Sequence, residues 1–151
     1  MKKYLKNFIF GVEDSLVSTG GMLSGIASAG VPRQDIFIAG IVLIFVEAFS
    51  MGVGSYLSES FTERPSKSAI GGVVMLLSYF FAGFIPLSPY LFLPTSQAFW
   101  VSIICSSVAL LILGATSARI SNKNIGIQAI KMVAFGGAAI TIGVIVGKII
   151  R

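Results

Sequence analysis

Three acidic residues lie inside otherwise apolar stretches of this sequence: Glu13, Asp14 and Glu47. Ionisable groups within the hydrocarbon of a membrane are energetically costly and usually serve a function. Carboxylate oxygens bind hard cations, and the thioether of Met51, one helical turn after Glu47, adds a softer donor. This mixture of ligands favours Fe²⁺ or Mn²⁺ over Mg²⁺ or Ca²⁺ as the bound ion.

The composition places these acids in a membrane protein. Of the 151 residues, 55% are hydrophobic and 11% are charged, and the mean hydropathy is +0.92; soluble domains carry roughly 25% charged residues. The chain has no histidine and one cysteine, which excludes Ser-His-Asp triads and internal disulfides, and a soluble enzyme is excluded by the composition. The net charge of +5 is carried between apolar stretches, which favours the lipid bilayer over nucleic acid as a partner.

The pattern of apolar segments predicts an all-α integral membrane protein with one transmembrane domain over residues 1–151. A helix needs about 20 mainly apolar residues to cross a membrane. No residue between Lys67 and Arg119 is charged, and the prolines at 86, 89 and 94 divide this stretch into two spans. The five predicted spans cover residues 8–30, 36–58, 69–86, 97–118 and 127–147.

The distribution of basic residues predicts a cytoplasmic N-terminus and a C-terminus on the far side. With that orientation, eight basic residues are cytoplasmic and three are on the far side. The cytoplasmic set is Lys2, Lys3, Lys6, Arg64, Lys67, Arg119, Lys123 and Lys131, and the far-side set is Arg33, Lys148 and Arg151.

The first segment also has a competing interpretation as a cleavable signal peptide. Lysines precede an apolar stretch that ends in Ala27-Ser28-Ala29, as at a cleavage site. Glu13 and Asp14 would then interrupt the apolar region of the signal, which favours a membrane span instead.

Depth in the membrane brings the acids of the first two spans together. Asp14 lies six residues into the first span, about 9 Å deep at 1.5 Å per residue. The second span runs back, and Met51 lies seven residues before its end at Ser58. We therefore expect Asp14, Met51 and Glu47 to form a ladder of ligands that descends into the membrane. Glu13 points about 100° away from Asp14, so it is predicted either to join this site or to bond a neighbouring helix.

Other features have simpler expected roles. Carboxylates can exchange a metal ion for a proton, so the ladder favours proton-coupled transport. Glu59 and Glu63 are expected to be solvated loop residues. The spacings Gly21-x-x-x-Gly25 and Gly143-x-x-x-Gly147 indicate close helix packing, either within the chain or across a dimer axis.

Five motifs, in order along the chain, resemble the vacuolar iron transporter family. They begin with the run from Gly11 to Thr19 and continue with the second span, which ends in Ser50-Met-Gly-Val-Gly-Ser-Tyr-Leu57. Ile85-Pro-Leu-Ser-Pro-Tyr-Leu91, Leu113-Gly-Ala and the glycine-rich last helix follow. The resemblance covers nearly the whole chain.

The resemblance implies a five-span homodimer that exports Fe²⁺, and often Mn²⁺, from the cytoplasm in exchange for protons, with the ion path at the dimer interface. It implies that Asp14 and Met51 are path residues. Plant members carry a path glutamate two turns before the methionine, where this chain has Leu43, and Glu47 is the candidate replacement. The metal-binding insert of those members is absent, which favours a prokaryotic cell membrane over a vacuole.

We therefore predict a divalent metal transporter that is not an enzyme and holds no permanent cofactor, with Fe²⁺ or Mn²⁺ as the transported ion. The predicted metal-site residues are Asp14, Met51, Glu47 and Glu13. Two alternatives stay open: a small proton-coupled exporter of organic cations, and a membrane partner protein that transports nothing.

Overall fold

A computed structural model of the chain describes residues 2–150, with the side chains of residues 4–150. This part of the chain is helical and contains no strand, which confirms the all-α prediction. Its helices are α1 (Lys2–Ser28), α2 (Arg33–Ser60), α3 (Pro65–Leu87), α4 (Pro89–Phe92), α5 (Thr95–Ile120) and α6 (Ile125–Ile150).

Four of these helices, α2, α3, α5 and α6, are long and apolar enough to cross a membrane. They contain the predicted spans 36–58, 69–86, 97–118 and 127–147. The first predicted span lies on α1, which is not among the four. α1 has 27 residues, more than the roughly 20 that a crossing needs, but its two acids, Asn7 and its many serines and glycines make it less apolar. The first predicted span, residues 8–30, therefore stays a prediction.

Helix α1 is the central element of the bundle, because it contacts α2, α3, α5 and α6. Its small polar residues Ser15, Thr19 and Ser24 are fully buried, whereas large apolar side chains such as Phe49 and Ile130 are exposed on α2 and α6. Small and polar residues between helices, with an apolar exterior, are typical of helical membrane proteins. The small polar residues that make α1 less apolar than the other long helices are thus buried between those helices.

The two glycine pairs pack against each other, as their spacing predicts. A Cβ on Gly21 would lie 3.2 Å from the carbonyl oxygen of Ala139, and one on Gly25 would lie 2.8 Å from that of Gly143. Gly147 in turn faces the backbone of Gly25. This stripe of α1 therefore packs on α6 within the chain.

The predicted break after the third span is confirmed. Helix α3 continues through Pro86 to Leu87, and the short α4 follows before α5 begins. The hydroxyl of Ser102 donates to the Pro86 carbonyl at 2.7 Å, and Tyr90 of α4 is buried. The prolines thus form a compact turn that returns the chain into the bundle.

One end of the bundle collects most of the basic residues assigned to the cytoplasm. Contacts of Asn7 with Ser55 and Gly71 bring together the start of α1, the end of α2 and the start of α3. A shared cavity joins Lys6 to Lys123. The side chains of Lys2 and Lys3 and the whole of Arg151 lie outside the described residues. Which compartment this end faces, and the single domain over 1–151, stay predictions.

Candidate functional site

The first two helices run antiparallel, and two contacts define their register. Asn7 Nδ2 donates to Ser55 Oγ at 3.1 Å, and a Cβ on Gly40 would lie 3.0 Å from Leu23 Cδ2. The separation of sixteen residues from Asn7 to Leu23 on α1 thus corresponds to the separation of fifteen residues from Ser55 back to Gly40 on α2. Asp14, seven residues after Asn7, therefore lies at the level between Met51 and Glu47, as the depth argument predicts.

Asp14 and Glu47 form an acidic pair between α1 and α2. The two carboxylates are close enough for their charges to interact, and both side chains are half-buried. Met51 is also half-buried and follows Glu47 by one turn on the same helix face. Ser55, one further turn along, contacts α1 through Asn7, which shows that this face of α2 is turned toward α1.

Close backbone packing holds α2 in place beside these residues. A Cβ on Gly52 would lie 2.8 Å from Leu76 Cβ, and one on Gly72 would lie 2.7 Å from the Gly52 carbonyl oxygen. Helices α2 and α3 therefore cross next to Met51 with no room for larger residues. The buried residues of α2 that face this crossing, Gly40, Ile44, Ala48 and Gly52, recur every four positions.

Tyr79 of α3 is the polar residue that sequence reasoning missed. Its hydroxyl lies 2.7 Å from Ser18 Oγ, and Ser15 Oγ donates to its carbonyl at 2.7 Å. The hydroxyl also lies close enough to Asp14 and Glu47 to experience their charge. The sequence signal that could have found Tyr79 is its position in the middle of an apolar span. A buried tyrosine hydroxyl needs a hydrogen-bonding partner, so such a residue indicates polar groups nearby.

Glu13 is directed away from the acidic pair. It is half-buried and lines a separate cavity with residues of α5 and α6, including Ser117, Gln128 and Met132. The 100° offset from Asp14 thus turns Glu13 toward α5 and α6, although it still lies near enough to Asp14 to experience its charge. Of the four predicted metal-site residues, Asp14, Glu47 and Met51 lie at one level between α1 and α2, and Glu13 does not share their face.

A second polar cluster lies nearer the end of the bundle. The Asn7 amide donates to Ser55 Oγ, to Glu59 Oε1 at 2.7 Å and to the Gly71 carbonyl oxygen at 3.1 Å. Glu59 belongs to α2 and is half-buried, so its prediction as a solvated loop residue is wrong. The physical reason is that α2 continues to Ser60 and turns the Glu59 carboxylate toward Asn7 and Gly71.

The donor set of one chain is small for a metal site. Among residues 2–150, no three His, Cys, Asp or Glu residues group closely enough to hold a metal ion. Two carboxylates, a thioether and nearby hydroxyls can bind a cation weakly and release it again. Such a set suits a passing ion better than a resident one.

These features define a helical membrane protein with a polar, acid-bearing interior. The comparison with known proteins identifies the family: its model, described as the VIT family, matches residues 5–70 and 61–148. The chain therefore belongs to the VIT family, whose members are transporters rather than enzymes.

One relative is the protein named vacuolar iron transporter 1 from Tulipa gesneriana. It is 22% identical to this chain, and the alignment covers 89% of this chain and 82% of the relative. The alignment extends over 203 residues, whereas this chain has 151. The relative therefore contains stretches that have no counterpart here.

Proposed function

We propose that this chain transports a divalent metal ion, Fe²⁺ or Mn²⁺, out of the cytoplasm in exchange for protons. The observation that carries the proposal is the acidic pair of Asp14 and Glu47, held between two helices of a VIT-family membrane protein. Two carboxylates in a membrane are costly unless a cation or protons compensate them. An ion that passes between them supplies that compensation.

The path that we propose begins at the basic end of the bundle and passes Met51, Asp14 and Glu47. The thioether favours Fe²⁺ or Mn²⁺ over harder ions. Plant members carry a path glutamate at the position of Leu43. In the proposed path Glu47, which follows Leu43 by one turn of α2, takes the role of that glutamate. Glu13 is the least suited of the four predicted ligands, because it lines a different cavity.

A homodimer would complete the ligand set, because a two-fold axis beside α1 and α2 presents each ligand twice. The exposed side of α2 around Ser50 is the candidate contact. In a Cys105→Ala background, Ser50→Cys should form a disulfide between protomers. Thr141→Cys, exposed on α6, is the matched control and should stay monomeric on a denaturing gel; equal cross-linking of both would contradict this interface.

Flux into proteoliposomes tests the function. We expect Fe²⁺ or Mn²⁺ to move faster than Zn²⁺, and a pH gradient to accelerate the movement. Asp14→Asn and Glu47→Gln should each reduce flux at least tenfold. Asp35→Asn, an identical chemical change at an exposed residue of α2, should not. Wild-type protein that moves no divalent ion would overturn the proposal, and full flux by Asp14→Asn would overturn the site.

The alternative of an organic-cation exporter is tested in the same vesicles with an organic cation as the cargo. That chemistry needs aromatic walls around the acid. The aromatic contacts of Phe80 are with Phe45, Phe81 and Phe84. The cavity beside them is lined by apolar residues of α2 and α3 and does not include Asp14 or Glu47; Tyr79 is an aromatic residue that lies near both acids. A partner protein that transports nothing would tolerate loss of both acids.

A further inference from the structure

A pocket of about 550 Å³ opens at the basic end of the bundle, between the start of α1 and the turn from α5 to α6. Its lining includes Lys6 of α1 and Lys123 of the turn, both exposed, so their ammonium groups are available to a ligand. The side-chain amides of Asn122 and Gln128 add hydrogen-bond donors. The mouth of this pocket is therefore suited to an anionic group.

Glu13 is the one acid among the residues that line the pocket. It follows Lys6 by seven residues, or two helical turns, which places it about 10 Å deeper along α1. The backbone of Glu13 therefore lies two turns further into the bundle than that of Lys6, so the acid belongs to the inner part of the pocket.

The pocket is also open sideways, toward the surface that faces lipid. Phe10 and Ile120 belong to its lining, and their side chains are 49% and 57% exposed. A lipid could place its headgroup between the lysines and lay its acyl chains over these two side chains without leaving the bilayer. A small soluble anion would gain nothing from such an apolar wall.

From the basic mouth, the hydrogen-bond donors and the apolar side opening, we propose that the pocket binds the phosphate of an anionic phospholipid. Basic pockets between transmembrane helices on the cytoplasmic side are suited to anionic lipid headgroups. The inference rests on the membrane orientation of the proposed function but not on metal transport, and it concerns a site separate from Asp14 and Glu47.

The test is a lipid titration of the purified full-length protein in a neutral detergent without metal. Phosphatidylglycerol should raise the melting temperature of the wild type, and phosphatidylcholine should not. The double variant Lys6→Gln/Lys123→Gln should bind phosphatidylglycerol roughly 30-fold more weakly, because two basic contacts are lost. The double variant Lys6→Arg/Lys123→Arg keeps both charges and should bind as the wild type does.

The matched control is Arg64→Gln/Lys67→Gln, which removes the same charge at the start of α3, outside the pocket. It should retain binding. Equal loss in both Gln double variants would indicate unspecific attraction to a basic surface and would overturn the proposal. An equal stabilisation by inorganic phosphate or glycerol 3-phosphate would identify a site for soluble phosphate instead. The lipid titration does not measure flux, so its result can be interpreted even if the wild-type protein transports no metal.

Discussion

Tyr79 contributes a polar contact between α3 and α1 beside the acidic pair. Its ring is fully buried, and its hydroxyl bonds Ser18 at 2.7 Å while lying near Asp14 and Glu47. The hydroxyl can donate to a carboxylate or accept from Ser18, so we predict that it orients the polar groups around the proposed ion. Loss of the Tyr79 hydroxyl should therefore reduce transport more than it reduces the stability of the protein.

Replacing Tyr79 with Phe removes this hydroxyl and keeps the ring. We expect metal flux to fall several-fold, whereas stability should fall by about 0.6 kcal/mol, the average for a hydrogen bond between membrane helices. Flux in proteoliposomes and thermal unfolding in detergent measure the two effects. The control is Tyr90→Phe: the Tyr90 hydroxyl is equally buried but has no hydrogen-bond partner, so flux should not change and stability should stay the same or rise. Equal effects of both variants would contradict the role of Tyr79.

Asn7 joins three helices through one amide group. Replacing it with Leu removes the hydrogen bond that the amide donates to the Glu59 carboxylate, and a hydrogen bond to a charged group contributes about 1.5–3 kcal/mol. We expect a lower melting temperature in detergent. Combined with Glu59→Leu, the loss should be smaller than the sum of the two single losses, because both single variants remove the same hydrogen bond. Strictly additive losses in the double variant would show that the two side chains do not interact.

At the scale of helices, the contact between α1 and α6 depends on the absence of side chains. The backbones of Gly25, Gly143 and Gly147 approach so closely that an added Cβ on any of them would meet the opposite backbone. Dispersion contacts between closely packed backbones are a main source of stability between membrane helices. The same packing holds α1, and therefore Asp14, at its place in the bundle.

Gly25→Leu should separate α1 from α6 and destabilise the protein by about 1–3 kcal/mol, the range for an overpacked contact. The measurement is thermal unfolding together with the yield of monodisperse protein. Gly137→Leu makes the same change on α6, where nothing lies within 4 Å of the added Cβ, and should be neutral. A similar loss in both variants would show that the close contact does not decide the outcome, because helix propensity favours Leu over Gly at both positions.

For the whole molecule, the grouping of basic residues at one end determines the expected orientation. The structure brings Lys6, Arg64 and Lys123 to the ends of helices that meet there. Such residues are retained in the cytoplasm during insertion. This end should therefore face the cytoplasm, provided that α1 crosses the membrane as well.

Single cysteines introduced into a Cys105→Ala background test this orientation. Ser66→Cys lies at the start of α3 and Ser96→Cys at the start of α5, and both positions are exposed. In intact cells, an impermeant maleimide should label position 96 and not position 66. Inside-out vesicles should show the reverse pattern. Labelling of both positions from the same side would exclude the predicted topology.

Much of this architecture follows from the sequence, because the physics of a membrane span is local. Apolar runs of sufficient length mark α2, α3, α5 and α6, and the prolines between 86 and 94 mark the turn between α3 and α5. The level of Asp14 relative to Met51 also follows, since two antiparallel helices joined by a short turn leave little freedom in register.

What the sequence by itself determined was therefore the helical class and four of the five predicted spans, and it predicted that Asp14, Glu47 and Met51 lie near one another. Only the tertiary structure decided which face of α1 each acid occupies, which separated Glu13 from Asp14. It also brought Tyr79 to Ser18 and Glu59 to Asn7, across 61 and 52 residues of chain. These contacts depend on how helices rotate and pack around α1, and that rotation is decided by distant partners that no local pattern contains.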